Sequence, residues 1–197
     1  MHGVVALLDS ASEQAVHALW AELDERHHLR AAVQRVPYPH VSYHVAEDYN
    51  LTRTGEVLGR VASATQPFTV RMMGLGAFEE PGLVLYLAVE RNAALNALHA
   101  TLWRALADAG AASGESPLYA PGSWIPHITL AQGDLTRAAL RAIQSAWAGR
   151  DLRREVRVSD LTLLYQPPGG ATHTPVMRFA LGSAGSSGGD HHTTAND

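Results

Sequence analysis

A four-residue pattern of proline, histidine, an aliphatic residue and a hydroxyl residue occurs twice in this chain of 197 residues. It is Pro39-His40-Val41-Ser42 in the first half and Pro126-His127-Ile128-Thr129 in the second, 87 positions later. The predicted elements around the pattern recur in the same order: a strand, a helix, the motif strand and a second helix. This duplication predicts two similar lobes packed as one α+β unit, which constrains the fold more than any other feature of the sequence.

Hydrophobic periodicity places the elements of each half. The first half is predicted to hold strands near residues 4–8, 40–45 and 68–73, with helices over 10–28 and 51–64. The second half is predicted to hold strands over 83–89 and 127–130, helices after residue 92 and over 135–147, and closing strands over 154–164 and 175–181. Gly74-Leu75-Gly76 is predicted to be a turn. We expect a single domain over residues 1–182 with lobes of roughly 1–80 and 81–182, strand exchange between them being left open, and a flexible tail over 183–197.

The composition excludes several kinds of chemistry. The chain has no cysteine, so disulfides, thiolate metal sites and cysteine nucleophiles are excluded. All 15 of its basic residues are arginine, which excludes a P-loop lysine, a Schiff base and a lysyl–nucleotide intermediate. The net charge of −4 disfavours extended, non-specific binding to nucleic acid. No segment approaches the ~20 apolar residues of a membrane span, and the first residues do not resemble a signal peptide. We expect a cytoplasmic monomer that needs no membrane.

Strand alternation assigns the faces of the two motifs. Because successive side chains point to opposite sides of a strand, His40 and Ser42 share one face, while Val41 and its apolar neighbours share the other. The same rule separates His127 and Thr129 from Ile128 and the following leucine. The apolar faces must turn to the core, so each histidine–hydroxyl face is predicted to line a cleft between the lobes.

Two imidazoles on opposite sides of a substrate suit acid–base catalysis of an in-line displacement at phosphorus. A neutral ring takes a proton from the attacking oxygen, and a protonated ring gives one to the leaving oxygen. The hydroxyls of Ser42 and Thr129 can donate hydrogen bonds to the phosphoryl oxygens, where charge accumulates. A cyclic phosphodiester fits this arrangement, and the mechanism requires neither a cofactor nor a metal.

Paired motifs of this form resemble those of the 2H phosphoesterases. The second one, preceded by Trp124-Ile125, is similar to the bacterial LigT-like branch of 2′-5′ RNA ligases and RNA 2′,3′-cyclic phosphodiesterases. The resemblance covers about residues 4–181. It implies a bilobal α+β fold of two duplicated antiparallel-sheet lobes with outer helices around a central cleft. It also implies catalytic roles for His40 and His127, and phosphate contacts from Ser42 and Thr129.

The sequence departs from the family pattern at two places. Ser42 stands where threonine is commoner, which keeps the hydroxyl. Ala131-Gln132 follows the second motif, where relatives often have a basic residue, so phosphate or RNA contacts at that point are in doubt.

Several further residues are candidates for substrate contacts. His44 is predicted by alternation to share the face of His40, where it would contact substrate or stand at the rim of the cleft. The alternative is that it joins the two motif histidines in a zinc site. Tyr38, Tyr119 and Trp124 flank the motifs and could stack on a nucleobase, although packing at the lobe edge is at least as good an interpretation. Flanking phosphates could be bound by arginines that are otherwise ordinary surface residues: Arg30, Arg35, Arg150, Arg153, Arg154 and Arg157.

The resemblance to this family implies an enzyme that opens 2′,3′-cyclic phosphates of RNA ends or nucleotides to 2′-phosphates, with reversible ATP-independent 2′-5′ joining. One alternative is a phosphodiesterase for a small cyclic ester such as ADP-ribose 1″,2″-cyclic phosphate. Another is a non-catalytic module that binds RNA ends. The acid and the base of the histidine pair are not assigned.

Overall fold

The structure is a computed structural model, and it describes residues 1–167 and 169–183. Nine strands are present in the described residues: β1 His2–Leu7, β2 His40–Tyr49, β3 Phe68–Phe78, β4 Val84–Val89, β5 Ala112–Glu115, β6 His127–Gln132, β7 Arg154–Val158, β8 Asp160–Tyr165 and β9 Thr174–Ala180. The helices are α1 Ser10–His27, α2 Ala31–Arg35, α3 Leu51–Ala64, α4 Ala93–Asp108 and α5 Arg137–Ala146. The tail predicted for 183–197 lies, apart from Ser183, outside the described residues.

The strands form two antiparallel sheets that each draw on both halves of the sequence. The first sheet has the order β5-β2-β1-β8-β9, and the second has the order β6-β4-β3-β7. Strand β3, from the first half, pairs with β4 in the second sheet, while β8 and β9 return to pair beside β1. The predicted α+β fold with two antiparallel sheets is confirmed, and it is held together by strands that cross between them.

Two predictions about the strands are wrong. The segment predicted as one strand over 154–164 is divided at Ser159, so that β7 joins the second sheet and β8 the first. The predicted turn Gly74-Leu75-Gly76 lies inside β3, where the pairing with β4 is irregular between Met72 and Gly74. Glycine permits the positive φ of 141° at Gly74, so the strand bends there without ending.

Helices α1 and α4 each pack on the sheet that does not contain the strand preceding them in the chain. Helix α1 follows β1 of the first sheet but packs on β6 and β7 of the second, while α4 follows β4 of the second sheet and packs on β2 of the first. The apolar side of α4 is buried throughout, at Leu95, Leu98, Leu102 and Leu106. Burial of each such side chain stabilises the fold by about 1.5–3 kcal/mol. None of the described helices combines the length and apolar character needed to span a bilayer.

Candidate active site

The two motifs enter their sheets through equivalent hydrogen bonds. Pro39 O accepts from Leu8 N–H of the neighbouring strand at 3.2 Å, and Pro126 O accepts from Val89 N–H at 3.1 Å. Strand β1 lies beside β2, as β4 lies beside β6. Strand β2 also contacts β6 of the other sheet, so the two motif strands face each other across the sheet boundary.

The faces of the motif residues follow the alternation that the sequence implies. His40 and Ser42 are partly exposed on the cleft, and Val41 between them is buried. Likewise His127 and Thr129 are partly exposed around buried Ile128. The structure thus brings both histidine–hydroxyl pairs to the concave side.

Each motif strand contains one extra residue directly after its hydroxyl residue. Strand β1 pairs Val5 with Ser42 and Val4 with His44, which leaves Tyr43 as the extra residue. Strand β4 likewise pairs Tyr86 with Thr129 and Leu85 with Ala131. A bulge of this kind reverses the alternation for the residues that follow.

The bulge overturns the prediction for His44. Its side chain is fully buried behind the sheet, with Nδ1 2.7 Å from Tyr49 Oη and the ring 4.6 Å from that of Trp103. Glu115 Oε1 lies 3.8 Å from Nε2, which would favour the charged ring, but burial dominates and lowers the pKa of His44 to about 4. His44 therefore contacts no substrate and does not face the other two histidines as the zinc alternative requires. Within the described residues, no group of three or more potential ligands could hold a metal ion.

Both motif rings are held by the same hydrogen bond. His40 Nδ1 is 2.6 Å from the carbonyl oxygen of Tyr38, and His127 Nδ1 is 2.7 Å from that of Ile125. Because a carbonyl only accepts, Nδ1 of each ring carries a proton and donates it. Nε2 is then the nitrogen of each neutral ring that can accept a proton from a substrate.

The cleft environment disfavours the charged form of both rings. Burial, assisted by the charge of His127, lowers the pKa of His40 to about 4. Burial also lowers the pKa of His127, whose ring lies 5.1 Å from that of Phe78 and 5.2 Å from that of Tyr86. Both imidazoles are therefore neutral in the free protein near pH 7, and an anionic ligand would favour their protonation.

Two adjoining cavities lie at the motifs. A cavity of about 310 Å³ is lined by His40 and Ser42, and a cavity of about 560 Å³ is lined by His127. They share four wall residues: Leu118, Tyr119, Thr129 and Gln132. The two catalytic candidates thus border one continuous cleft, with Thr129 between them.

The aromatic candidates have three different positions. Tyr119 lies on the wall of both cavities, and burial raises the pKa of its hydroxyl. Trp124 is buried, stacks on His99 at 3.8 Å and donates from Nε1 to the carbonyl oxygen of Ser42 at 2.8 Å. It has no open face for a nucleobase, so that prediction is wrong, and its role is to hold strand β2. The side chain of Tyr38 lines neither cavity, and it is its carbonyl that serves the site.

Several residues of the cleft could not be predicted from the sequence. Beyond the bulges, Val45 and Gln132 occupy the cleft positions that unbroken alternation assigns to His44 and Ala131. His2 and His173, near the two ends of the described chain, line the smaller cavity. No local pattern marks these residues, because their position depends on pairing between distant strands.

A cleft between two antiparallel sheets, with a histidine and a hydroxyl from each, is the arrangement of a two-histidine phosphoesterase. The family model of the 2′-5′ RNA ligase superfamily matches residues 8–169, and the chain belongs to this superfamily. This confirms the resemblance to the 2H phosphoesterases that the motifs predicted.

Individual relatives agree with this assignment. A Geobacillus kaustophilus protein named as a candidate phosphoesterase is 27% identical over 126 residues, which are 64% of this chain and 67% of that protein. The structure of TT0787 from Thermus thermophilus superposes with a TM-score of 0.62 at 20% identity, covering 94% of this chain and 100% of that one. Escherichia coli LigT in its apo form superposes with a TM-score of 0.61 at 16% identity, covering 92% and 97%. At these identities the structural likeness establishes the fold.

Proposed function

We propose that this protein is a metal-independent 2′,3′-cyclic phosphodiesterase that opens cyclic phosphates of RNA ends or nucleotides to 2′-phosphates. The same displacement, with an RNA 5′-hydroxyl in place of water, would join RNA ends through 2′-5′ linkages without ATP. The observation that carries the proposal is the pair of imidazoles, each with Nδ1 tied to a carbonyl two residues earlier and each bordering the same cleft.

The proposed reaction is an in-line displacement at phosphorus. One neutral ring removes a proton from water, and the water oxygen forms a bond to phosphorus. The bond from phosphorus to the ribose O3′ breaks, and the second ring, as imidazolium, donates its proton to O3′. The product carries a 2′-phosphate and a free 3′-hydroxyl, and the rings have exchanged protonation states. A 5′-hydroxyl in place of water would give the 2′-5′ linkage.

The hydroxyls of Ser42 and Thr129 support charge on the non-bridging oxygens. Both lie on the cleft face, two residues after the imidazole of their own strand. Donors fixed before the reaction stabilise the transition state without reorganisation. The backbone at Ser42 is held by Trp124, whose Nε1 donates to the Ser42 carbonyl oxygen at 2.8 Å.

A small cyclic nucleotide is the second candidate substrate. The larger cavity beside His127 has several apolar walls, among them Phe78, Pro81, Val84 and Ile125, which suit one nucleoside. Structures of Escherichia coli LigT with 3′-AMP, ATP and NADP⁺ show nucleotides bound to that protein. An ester of the ADP-ribose 1″,2″-cyclic phosphate kind is thus the alternative substrate for the same site.

The decisive experiment is incubation with RNA ending in a 2′,3′-cyclic phosphate, with cyclic mononucleotides and with ADP-ribose 1″,2″-cyclic phosphate, all in excess EDTA. Formation of 2′-phosphates, identified by the position of the product phosphate, is the expected result. A higher kcat/KM for the ADP-ribose ester would favour the second candidate. Tight binding of cyclic-ended RNA without product would establish a binding module, and activity lost on chelation would overturn the metal-independent mechanism.

A further inference from the structure

The smaller cavity continues beyond His40 along a wall of basic side chains. Besides His40, its wall includes three side chains able to carry positive charge: His2, Arg35 and His173. None of the described residues that line this cavity is an aspartate or a glutamate. A concave wall that has basic side chains and no acidic ones attracts anions.

His173 has a buried ring nitrogen that lacks a partner. The residue is 6% exposed, and its Nε2 lies 2.7 Å from the carbonyl oxygen of Met1, to which it donates. Nδ1 is buried and has no hydrogen-bond partner among the described residues. A buried polar atom left unpaired is costly, and such atoms usually have a ligand or water as partner. When protonated, Nδ1 would donate to an anion while Nε2 keeps its carbonyl.

Arg35 and His2 stand beside this ring. The backbone N–H of His173 donates to the carbonyl oxygen of Arg35 at 2.9 Å, which joins the two residues. No described carboxylate lies within ion-pairing distance of the Arg35 guanidinium. His2 Nδ1 accepts from Gln166 N–H at 3.1 Å, so Nε2 of the neutral ring bears the proton.

Asp48, the acidic residue whose charge acts on His2, lies outside the cavity. The ring of His2 stacks on Tyr165 at 3.9 Å, and the hydroxyl of Tyr165 donates to Asp48 at 3.3 Å. Asp48 does not line the cavity. Asp48 therefore adds no negative charge to the cavity wall.

We propose that Arg35, His173 and His2 form a second phosphate-binding subsite, next to His40 and distinct from the place of the scissile phosphate. The inference rests on the proposed function and specifies its substrate as one that carries a second phosphate group. That group is either the next phosphodiester of an RNA strand or the 5′-phosphate of a nucleotide. Arg35 supplies a forked donor, and the protonated ring of His173 adds a donor at Nδ1.

Kinetics with matched substrates test this subsite. The substrates are adenosine 2′,3′-cyclic phosphate, its 5′-phosphorylated form, and a diadenosine dinucleotide that ends in a 2′,3′-cyclic phosphate. We expect kcat/KM to be about tenfold or more higher for at least one two-phosphate substrate than for the one-phosphate substrate. Preference for the 5′-phosphate alone identifies a nucleotide as the source, and preference for the dinucleotide alone identifies an RNA strand.

Substitutions test whether the preference for a second phosphate depends on Arg35 and His173. Arg35→Gln and His173→Gln should each lower the ratio of kcat/KM for the preferred two-phosphate substrate to kcat/KM for the one-phosphate substrate until it is close to one. Glutamine has this effect because it removes the positive charge and keeps a donor. Arg30→Gln is the matched control, since Arg30 pairs with Asp24 at 2.8 Å and does not line the cavity. A ratio that stays at its wild-type value in both subsite variants, or a ratio of one in the wild type, would overturn the proposal.

A binding experiment separates this proposal from the proposed function. Inorganic phosphate is titrated into protein with ¹⁵N-labelled histidine, and the ring nitrogens of His173 are followed by NMR. We expect them to move toward imidazolium values, at a phosphate concentration about tenfold higher in Arg35→Gln. A response of His173 in a protein without turnover would retain the subsite and reject the catalytic function. A response confined to His40 and His127, or none at all, would reject the subsite.

Discussion

The two motif strands are nearly equivalent in backbone geometry, but their surroundings differ. Both have a histidine tied to a carbonyl two residues earlier, a hydroxyl residue next on the same face, and a bulge directly afterwards. Around His40 the cavity is smaller and its wall includes Arg35, His2 and His173, whereas around His127 it is larger and contains Phe78, Pro81 and Ile125. The two strands thus share their backbone geometry, while the walls around the two histidines differ in chemical character.

The largest effect should come from removing either imidazole. His40→Ala and His127→Ala should each lower kcat by roughly 10²–10⁴-fold, the contribution typical of a general acid or base. The double variant should be little worse than the single ones, since the rings act as a unit. Circular dichroism would check the fold. Near-normal turnover in one variant would show that the two strands are not catalytically equivalent.

Removing a motif hydroxyl should have a smaller effect. Ser42→Ala and Thr129→Val should each lower kcat by about 10²-fold, as for the loss of one transition-state donor. Kinetics of the two variants with the same cyclic substrate compare the strands, since each hydroxyl residue stands two positions after the histidine of its own strand. Near-normal kcat in one variant would show that only the hydroxyl of the other strand supports the transition state.

Replacing His44 by alanine, the residue that stands at the equivalent position 131 of β6, should change how the free energy of unfolding depends on pH. The folded-state pKa of His44 is about 4, below the value of 6.5 for an ordinary histidine, so the unfolded chain binds more protons between these values. Its contribution to the free energy of unfolding is present above pH 6.5 and is lost as the pH falls toward 4. His44→Ala should reduce the difference in this free energy between pH 7 and pH 5 by about 2 kcal/mol.

Urea denaturation at the two pH values measures the change. The comparison between pH values cancels the pH-independent cost of the cavity left by the ring. An unchanged difference would mean that folding does not lower the pKa of His44.

The smallest expected effect is the change of kcat/KM with pH in the wild-type protein. The base must be neutral and the acid protonated in the free enzyme, and the pKa of both rings is lowered. A bell-shaped profile is therefore expected with its maximum between about 4 and 6.5, whichever ring is the base. Activity falls on the acid side as the base is protonated and on the alkaline side as the acid loses its proton. A maximum above about pH 7 would contradict the lowering of both values.

Much of the site could be predicted because it depends on local pattern. The faces of His40, Ser42, His127 and Thr129 follow from a period of two over three residues, which requires no knowledge of strand partners. The same rule is wrong for His44, because one extra residue in the strand reverses every later side chain. Bulges depend on the register between strands, and short stretches of sequence do not encode that register.

The sequence by itself determined the duplicated motif, the helices with buried leucines and the chemistry of paired imidazoles, because these follow from residue type and short-range periodicity. Only the tertiary structure decided which strands share a sheet, where Trp124 packs, and that His2 and His173 meet beside His40. Those outcomes depend on hydrogen bonds and burial between residues far apart in the chain. The chain divides at Ser159 because its two flanking strands find partners in different sheets.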